Sequence, residues 1–338
     1  MASILSFLIS VCIAFSVVFF GKKVAPSHRC SHDVPTPSAG GISFWGVFCL
    51  GYFYYASQDV WIIPVPCFVA IIGLGLISLY DDFFNLSYRT RLIVHLSCAA
   101  LVVYSGMIVQ MPLLIGKEIF GLDIILTIFL VVGLINACNF FDGINGLLSG
   151  CTLFLLLCAI LVDIHDASPV LLIFMPALLG FYIFNFPKAR LFMGDTGSTC
   201  IGLLLAIISL KSQSYYDLDT NTALIHKGVI YALTPMMFVW CDVLFTLLRR
   251  LVEGRSIVSP WRDYLFHHLH DIGYSHIKIS ITYYMTVIIM SVLTYLCYRQ
   301  YLPFLGCVFI YACLQVTFIV YILRMHYQWK QKVRNEFR

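Results

Sequence analysis

Charge is what this 338-residue sequence is shortest of: Asp, Glu, Lys and Arg make up 11% of it, against about a quarter in soluble domains. No stretch is polar enough, for long enough, to hold a water-soluble core of its own. A separate soluble domain is thereby excluded, and residues 1–338 are expected to form a single membrane-embedded domain. The net charge of +4 includes no basic block, so nucleic acid is excluded as a partner. Although there are 13 cysteines, no two stand in a CxxC pair, and most lie inside apolar runs. They read as small apolar fillers, which argues against a disulfide framework or a cysteine-based zinc site. Lys and Arg are also missing ahead of the first apolar run, residues 2–20, and Lys22 and Lys23 follow it instead. A cleaved signal peptide has the opposite charge order. The expectation is a retained first helix with its N-terminus outside.

What the chain has in abundance is apolar length: 60% of its residues are hydrophobic. A membrane span needs about 20 largely apolar residues. Eleven segments approach that, at 2–20, 40–57, 61–80, 92–111, 121–139, 146–163, 169–186, 198–214, 228–248, 279–298 and 302–323. The fold class expected is therefore an all-α polytopic membrane protein with about eleven transmembrane helices. With the N-terminus outside, the inner segments are 21–39, 81–91, 136–146, 187–197, 249–278 and 324–338, and they hold 17 of the 21 Lys and Arg. Only Lys117, Lys211, Lys227 and Arg299 fall outside, which agrees with the positive-inside rule and puts the C-terminus in the cytoplasm.

Every polar cluster lies on that inner face. In order they are PTPSAGG (35–41), YDDFFN (80–85), NACNFFDGING (136–146), FNFPKARLFMGDTGS (184–198) and WRDYLFHHLHDIGYSH (261–276). Asp81 and Asp82 are adjacent carboxylates at a membrane boundary; they resist desolvation unless a cation offsets them. A solvated helix end is the lesser alternative for the pair alone, and Asp142 and Asp195 weaken it further. Around Asp195, Gly194 and Gly197 permit a tight turn, and Thr196 and Ser198 add hydroxyls, a set that suits phosphate oxygens beside a metal. A plain helix N-cap is the alternative.

Asn136, Asn139, Asp142 and Asn145 recur every three residues, so on a helix they would line one polar strip, with Gly143 and Gly146 ending it. The segment 249–278 is the longest cytoplasmic loop, rich in His and Arg. There His267, His268 and His270 stand near Arg255 and Arg262, a combination that suits a diphosphate. No cysteine accompanies these histidines and carboxylates are plentiful, which favours a hard cation such as Mg²⁺ over zinc. His95 and Asp242 are expected to meet helix neighbours. The acids Asp163, Asp166, Asp217 and Asp219, with His165, are expected to be solvated in outer loops.

These motifs, in this order and along nearly the whole chain, resemble the polyprenyl-phosphate N-acetylhexosamine-1-phosphate transferases. That family includes the bacterial enzymes that start O-antigen and enterobacterial common antigen synthesis, and the muramoyl-pentapeptide transferase of the cell wall. The resemblance implies transfer of an N-acetylhexosamine 1-phosphate from a UDP-sugar to undecaprenyl phosphate, with release of UMP and a need for Mg²⁺ or Mn²⁺. It implies a bacterial inner-membrane enzyme that starts a cell-surface polysaccharide such as O-antigen, capsule or cell wall, with its site on the cytoplasmic face; a homodimer is compatible with it.

By matching position, Asp81 and Asp82 fall on the aspartate pair that acts on the lipid phosphate or helps hold the metal, and Asp195 falls on the metal-ligating aspartate. Asn139, Asp142 and Asn185 match polar residues of the nucleotide and diphosphate site, and Phe192 matches an aromatic that packs on uracil. Asn136 and Arg262 complete the expected binding set. Two departures stand out: Asn145 where many members have a second aspartate, and Ser38 where a basic residue is frequent. Asn145 could still accept the uracil imide N–H. The loop histidines do not register cleanly, so His267, His268 and His270 all remain candidates.

Two other classes compete. A Mg²⁺-dependent intramembrane prenyltransferase would carry two DxxxD-like motifs, whereas this chain has DDFFN and GDTGS. A transporter would carry acids at mid-membrane and repeated halves, whereas these acids gather at helix ends.

Overall fold

The computed structural model describes residues 2–24, 35–60, 62–109, 120–161, 168–211, 234–256 and 262–336. Helix dominates: α1 (Ala2–Phe20), α2 (Ile42–Ala56), α3 (Val65–Phe84), α4 (Tyr88–Tyr104), α5 (Phe120–Phe141), α6 (Leu147–Leu161), α7 (Ser168–Asn185), α8 (Gly194–Lys211), α9 (Met237–Val252), α10 (Leu265–Asp271), α11 (His276–Tyr298) and α12 (Phe304–Glu336). A two-residue antiparallel ladder, Lys23–Val24 with Thr36–Pro37, is a small addition that apolar patterning could not reveal.

Local chemistry sets the helix ends. Pro66 stands in the first turn of α3, where its missing N–H costs no hydrogen bond. At the other end Asn85 takes the left-handed conformation (φ 54°, ψ 82°) that stops a helix. Two residues on, the Ser87 side chain accepts the Thr90 N–H and opens α4. Ser275 does the same for α11 by accepting the Lys278 N–H.

Helix α8 is the hub, buried continuously from Thr196 to Leu210 and packed against α2, α3 and α5. Without a hydrophobic drive between helices in lipid, close packing and hydroxyl bonds must hold them together. Ser78 Oγ meets Thr199 Oγ1 at 2.9 Å between α3 and α8, and Ser10 Oγ donates to Ala177 O at 2.6 Å between α1 and α7. Large apolar side chains such as Leu5, Phe15, Phe53, Phe129 and Phe309 are left exposed. On a water-soluble monomer that would be a liability; against lipid tails it is the stable arrangement. Among the described residues five helical stretches, Ala2–Phe20, Val65–Phe84, Gly121–Phe141, His276–Tyr298 and Gly306–Arg334, are long and apolar enough to cross a membrane. The protein is an all-α, multi-pass membrane protein.

Each apolar run overlaps a helix among the described residues, but the ends differ from expectation. The third run was expected to stop at 80, yet α3 continues to Phe84, so Asp81 and Asp82 occupy its last turn. The eighth was expected from 198, yet α8 begins at Gly194 and takes Asp195 into its first turn. The last extends to Glu336 rather than 323. Hydropathy registers apolar side chains, whereas a helix runs on through polar residues as long as its end groups find partners. Residues 228–233 of the ninth run, Lys117, Lys227, Trp261, and the outer-loop residues Asp163, His165, Asp166, Asp217 and Asp219 lie outside the described residues.

Candidate active site

The start of α8 is where the motifs meet. Gly194 has φ +73°, and a Cβ there would fall 2.6 Å from Asp82 Oδ2, so only glycine fits the turn. Asp82 reaches across from α3 and caps α8: Oδ1 accepts the Asp195 N–H at 2.7 Å, while Oδ2 accepts the Thr196 N–H at 3.2 Å and its hydroxyl at 2.6 Å. A carboxylate suits these unpaired amides at the positive end of the helix dipole. With Asp82 occupying the cap, the Asp195 side chain is turned outward. Its Oδ1 accepts Asn139 Nδ2 at 2.9 Å, and its Oδ2 pairs with Arg91 Nη1 at 2.9 Å. Arg91 also pairs with buried Asp81 through Nε at 2.5 Å, and the Leu86 N–H donates to that carboxylate. One guanidinium thus bridges two acids.

The PTPSAGG segment braces this turn from behind. The Gly40 and Gly41 N–H groups donate to the carbonyls of Phe192 and Met193, both at 2.8 Å. A Cβ on Gly41 would lie 2.2 Å from the Gly197 nitrogen, so the two backbones meet with no room for a side chain.

Beside Asp195 opens a cavity of about 260 Å³ whose wall includes Asn139, Asp142, Asn145, Phe192, Ser198 and His267, together with Ser38 and Asn185. Asp142 sits in the turn between α5 and α6 and makes no hydrogen bond or ion pair among the described residues. Burial, then the negative charges of Asp195 and Asp82, push its carboxyl up to about 7. A cation placed between Asp142 and Asp195 would relieve that crowding. Asn139 lines the same wall, and its amide oxygen with the two carboxylates makes an oxygen donor set that fits a hard divalent ion.

The turn itself is held firmly. Asn185 Oδ1 accepts the Gly146 N–H at 2.7 Å and its Nδ2 donates to Leu191 O at 2.9 Å. Tyr284 donates to Gly146 O at 2.5 Å, and the Asn145 N–H points to His276 Nδ1 at 3.3 Å.

The four polar residues of 136–145 do not form one strip, which corrects the expectation from their spacing. A three-residue interval drifts by about 60° per step on a helix of 3.6 residues per turn, and α5 ends at Phe141. Asn136 is turned away toward His95 Nδ1 (3.2 Å) and Val132 O (2.8 Å).

The three histidines also separate. Of the three, His267 alone faces the cavity, its ring 4.2 Å from that of Phe266 and its Nδ1 without a hydrogen-bond partner among the described residues. Burial, then the nearby Arg262 charge, lower its pKa to about 3, so it is neutral at pH 7. His268 stacks on His326 of α12 at 4.0 Å and meets Arg249 Nη1 at 3.3 Å. His270 lies 3.3 Å from Arg262 Nη2, and Arg262 reaches Asp271 at 3.8 Å, so neither lines the cavity. His268, Asp271 and His326 bring ligand atoms within 4.8 Å of one another. The two rings are nearly parallel (20°), however, so their in-plane lone pairs cannot converge on one ion.

Sequence reasoning missed Arg91, counting it only as a cytoplasmic positive charge. Its signal was position: the second of two Arg residues that follow the aspartate pair, nine residues beyond Asp82 and at the start of an apolar run.

A multi-pass helical membrane protein with an acid- and amide-walled cavity at its helix ends is the class that fold and site define. The sequence model of glycosyl transferase family 4 matches residues 64–213. The chain is 32% identical over 308 residues to the decaprenyl-phosphate N-acetylglucosaminephosphotransferase of Mycobacterium tuberculosis (strain ATCC 25618 / H37Rv), covering 80% of this chain and 74% of that one. It is 26% identical over 310 residues to a probable undecaprenyl-phosphate N-acetylglucosaminyl 1-phosphate transferase of Bacillus subtilis (strain 168), covering 86% and 83%. Over 240 residues it is 29% identical to a phospho-N-acetylmuramoyl-pentapeptide-transferase of Leuconostoc mesenteroides, covering 64% and 72%. The chain belongs to glycosyl transferase family 4.

Proposed function

We propose that this protein transfers an N-acetylhexosamine 1-phosphate from a UDP-sugar to a polyprenyl phosphate, releasing UMP and starting a surface glycan. The observation that carries the reading is the capped α8 start, which turns Asp195 into the same cavity wall as Asn139, Asp142 and His267. The relatives' names supply the acceptor, a polyprenyl phosphate, and the transferred group. Family membership leaves the prenyltransferase and transporter readings without support.

The acceptor phosphate has a second pKa near about 6, so at pH 7 it is mostly a dianion and needs no strong base. One of its oxygens bonds to the sugar-bearing phosphorus as the bond from that phosphorus to the UMP oxygen breaks. The difficulty is electrostatic, because two polyanions must meet. Asp195, Asp142 and the Asn139 oxygen would hold Mg²⁺, which when bound neutralises the diphosphate and stabilises departing UMP. Arg91, 37% exposed at its side chain, can turn part of its fork toward a phosphate while still facing Asp81. Neutral His267 donates a hydrogen bond to the sugar diphosphate. Asn145 and Phe192 form the shelf for uracil, the amide oxygen accepting the imide N–H. Asp82 acts by fixing the Asp195 turn.

The same reading places eleven crossings in the bilayer of a bacterial inner membrane, N-terminus outside and C-terminus in the cytoplasm. Its support is the inner-face excess of Lys and Arg, and UDP-sugars are cytoplasmic. The test is direct: folded, purified protein with undecaprenyl phosphate, Mg²⁺ and a panel of UDP-N-acetylhexosamines. UMP release that requires both lipid phosphate and metal is the expected result; no UMP with any donor would sink the reading.

A further inference from the structure

Helix α10 has only seven residues, and among the described residues its N-cap, Tyr264, makes no side-chain capping bond. A helix that short does not hold itself together in water, so what fixes it must come from elsewhere in the fold. Asp242, fully buried on α9, supplies the missing acceptor: its Oδ1 takes the Leu265 N–H at 2.8 Å. The other oxygen accepts the Tyr283 hydroxyl of α11 at 2.8 Å, and Thr246 Oγ1 lies 3.5 Å from Oδ1. Tyr283 and Phe266 both pack edge-on against Phe141, the last residue of α5 and the neighbour of Asp142. Three helices therefore meet the start of α10 through one carboxylate and one aromatic cluster.

Rotation about the short axis is what this anchoring sets. Successive residues on a helix differ by about 100°, so a slip by one residue would put Phe266 or His268 where His267 now meets the cavity. We propose that Asp242 is a positioning residue that locks the rotation of α10 and thereby holds His267 against the transfer site. This rests on the cavity being that site, and the experiment separates the two claims.

Asp242→Asn keeps the contacts, because the amide oxygen still accepts from Leu265 and the amide N–H can donate to Tyr283. Turnover within about threefold of wild type is expected. Asp242→Ala frees the helix and should lower UMP release by about 10²-fold, the scale of a misplacement of about 1 Å. In a His267→Ala background the same Asp242→Ala change should cost less than about threefold, since residues acting through one another are not additive. Equal losses in both backgrounds would reduce Asp242 to general stability and overturn the proposal.

A readout free of turnover is alkylation at position 267 in His267→Cys protein, followed by peptide-resolved mass spectrometry. Adding Asp242→Ala should raise that rate at least about tenfold, and an unchanged rate overturns the proposal. Should Asp242→Ala fail to fold, Tyr283→Phe removes a single hydrogen bond and should raise labelling about threefold; no rise again overturns it. Wild-type protein that releases no UMP would defeat the functional reading, while the labelling result would still decide the role of Asp242.

Discussion

The cavity has two walls built in opposite ways. Its acidic wall is assembled from distant segments: Asn139 on α5 and Asp195 on α8 line it, while Asp82 on α3 and Arg91 on α4 hold Asp195 through a backbone hydrogen bond and an ion pair. The histidine wall starts from three residues within one tetrapeptide, and the fold disperses them toward the cavity, toward α12 and toward Arg262. Nearness in sequence is therefore a poor guide to shared chemistry on a helix, because neighbours point about 100° apart. Separate motifs that each end a helix on one membrane face are the better guide.

The largest effect should come from breaking the acidic wall at its centre. Asp195→Asn keeps the shape and the acceptor for Asn139 but removes the charge facing Arg91 and the metal. UMP release should fall about 10³-fold or more, with the thermal midpoint in detergent little changed. Full activity in that variant would remove Asp195 from the metal site.

On the histidine wall the contrast is within one helix. His267→Ala should lower turnover by about 10²-fold, as loss of one hydrogen bond to developing charge does. His268→Ala should stay within about threefold, because that ring lies against His326 and not against the cavity. Equal losses for the two would show that the loop moves as a unit during the reaction.

Much of this was legible before the structure. The membrane class follows from apolar runs and scarce charge, and Asn139, Asp142, Asn145, Phe192 and Asp195 all stand in motifs that reach one cavity. Hidden was whatever depends on side-chain direction. Asn136 has the composition of a site residue, yet its amide is spent on His95 and a helix carbonyl. Asn185 lines the cavity while both ends of its amide staple the turn to the segment before α8. Arg91 has an ordinary sequence context, and only the folded chain puts it between Asp81 and Asp195. Periodicity reports which residues share a helix face; it does not report which neighbour a polar side chain finds.

Asp82 gives the subtlest test, because sequence and structure suggest different work for the same carboxylate. As a metal ligand it would be needed for turnover and irrelevant to stability. As the cap of α8 it accepts two backbone N–H groups and a hydroxyl, leaving little lone-pair capacity for an ion. Asp82→Asn replaces one acceptor oxygen with an N–H donor aimed at those same amides. The expected cost is about 1–2 kcal/mol of stability, seen as a lowered thermal midpoint, and UMP release should fall because the Asp195 turn loosens. Cooling the assay should recover part of the loss as the cap region re-forms. A variant with an unchanged midpoint and no turnover at any temperature would move Asp82 from the scaffold of the acidic wall to its chemistry.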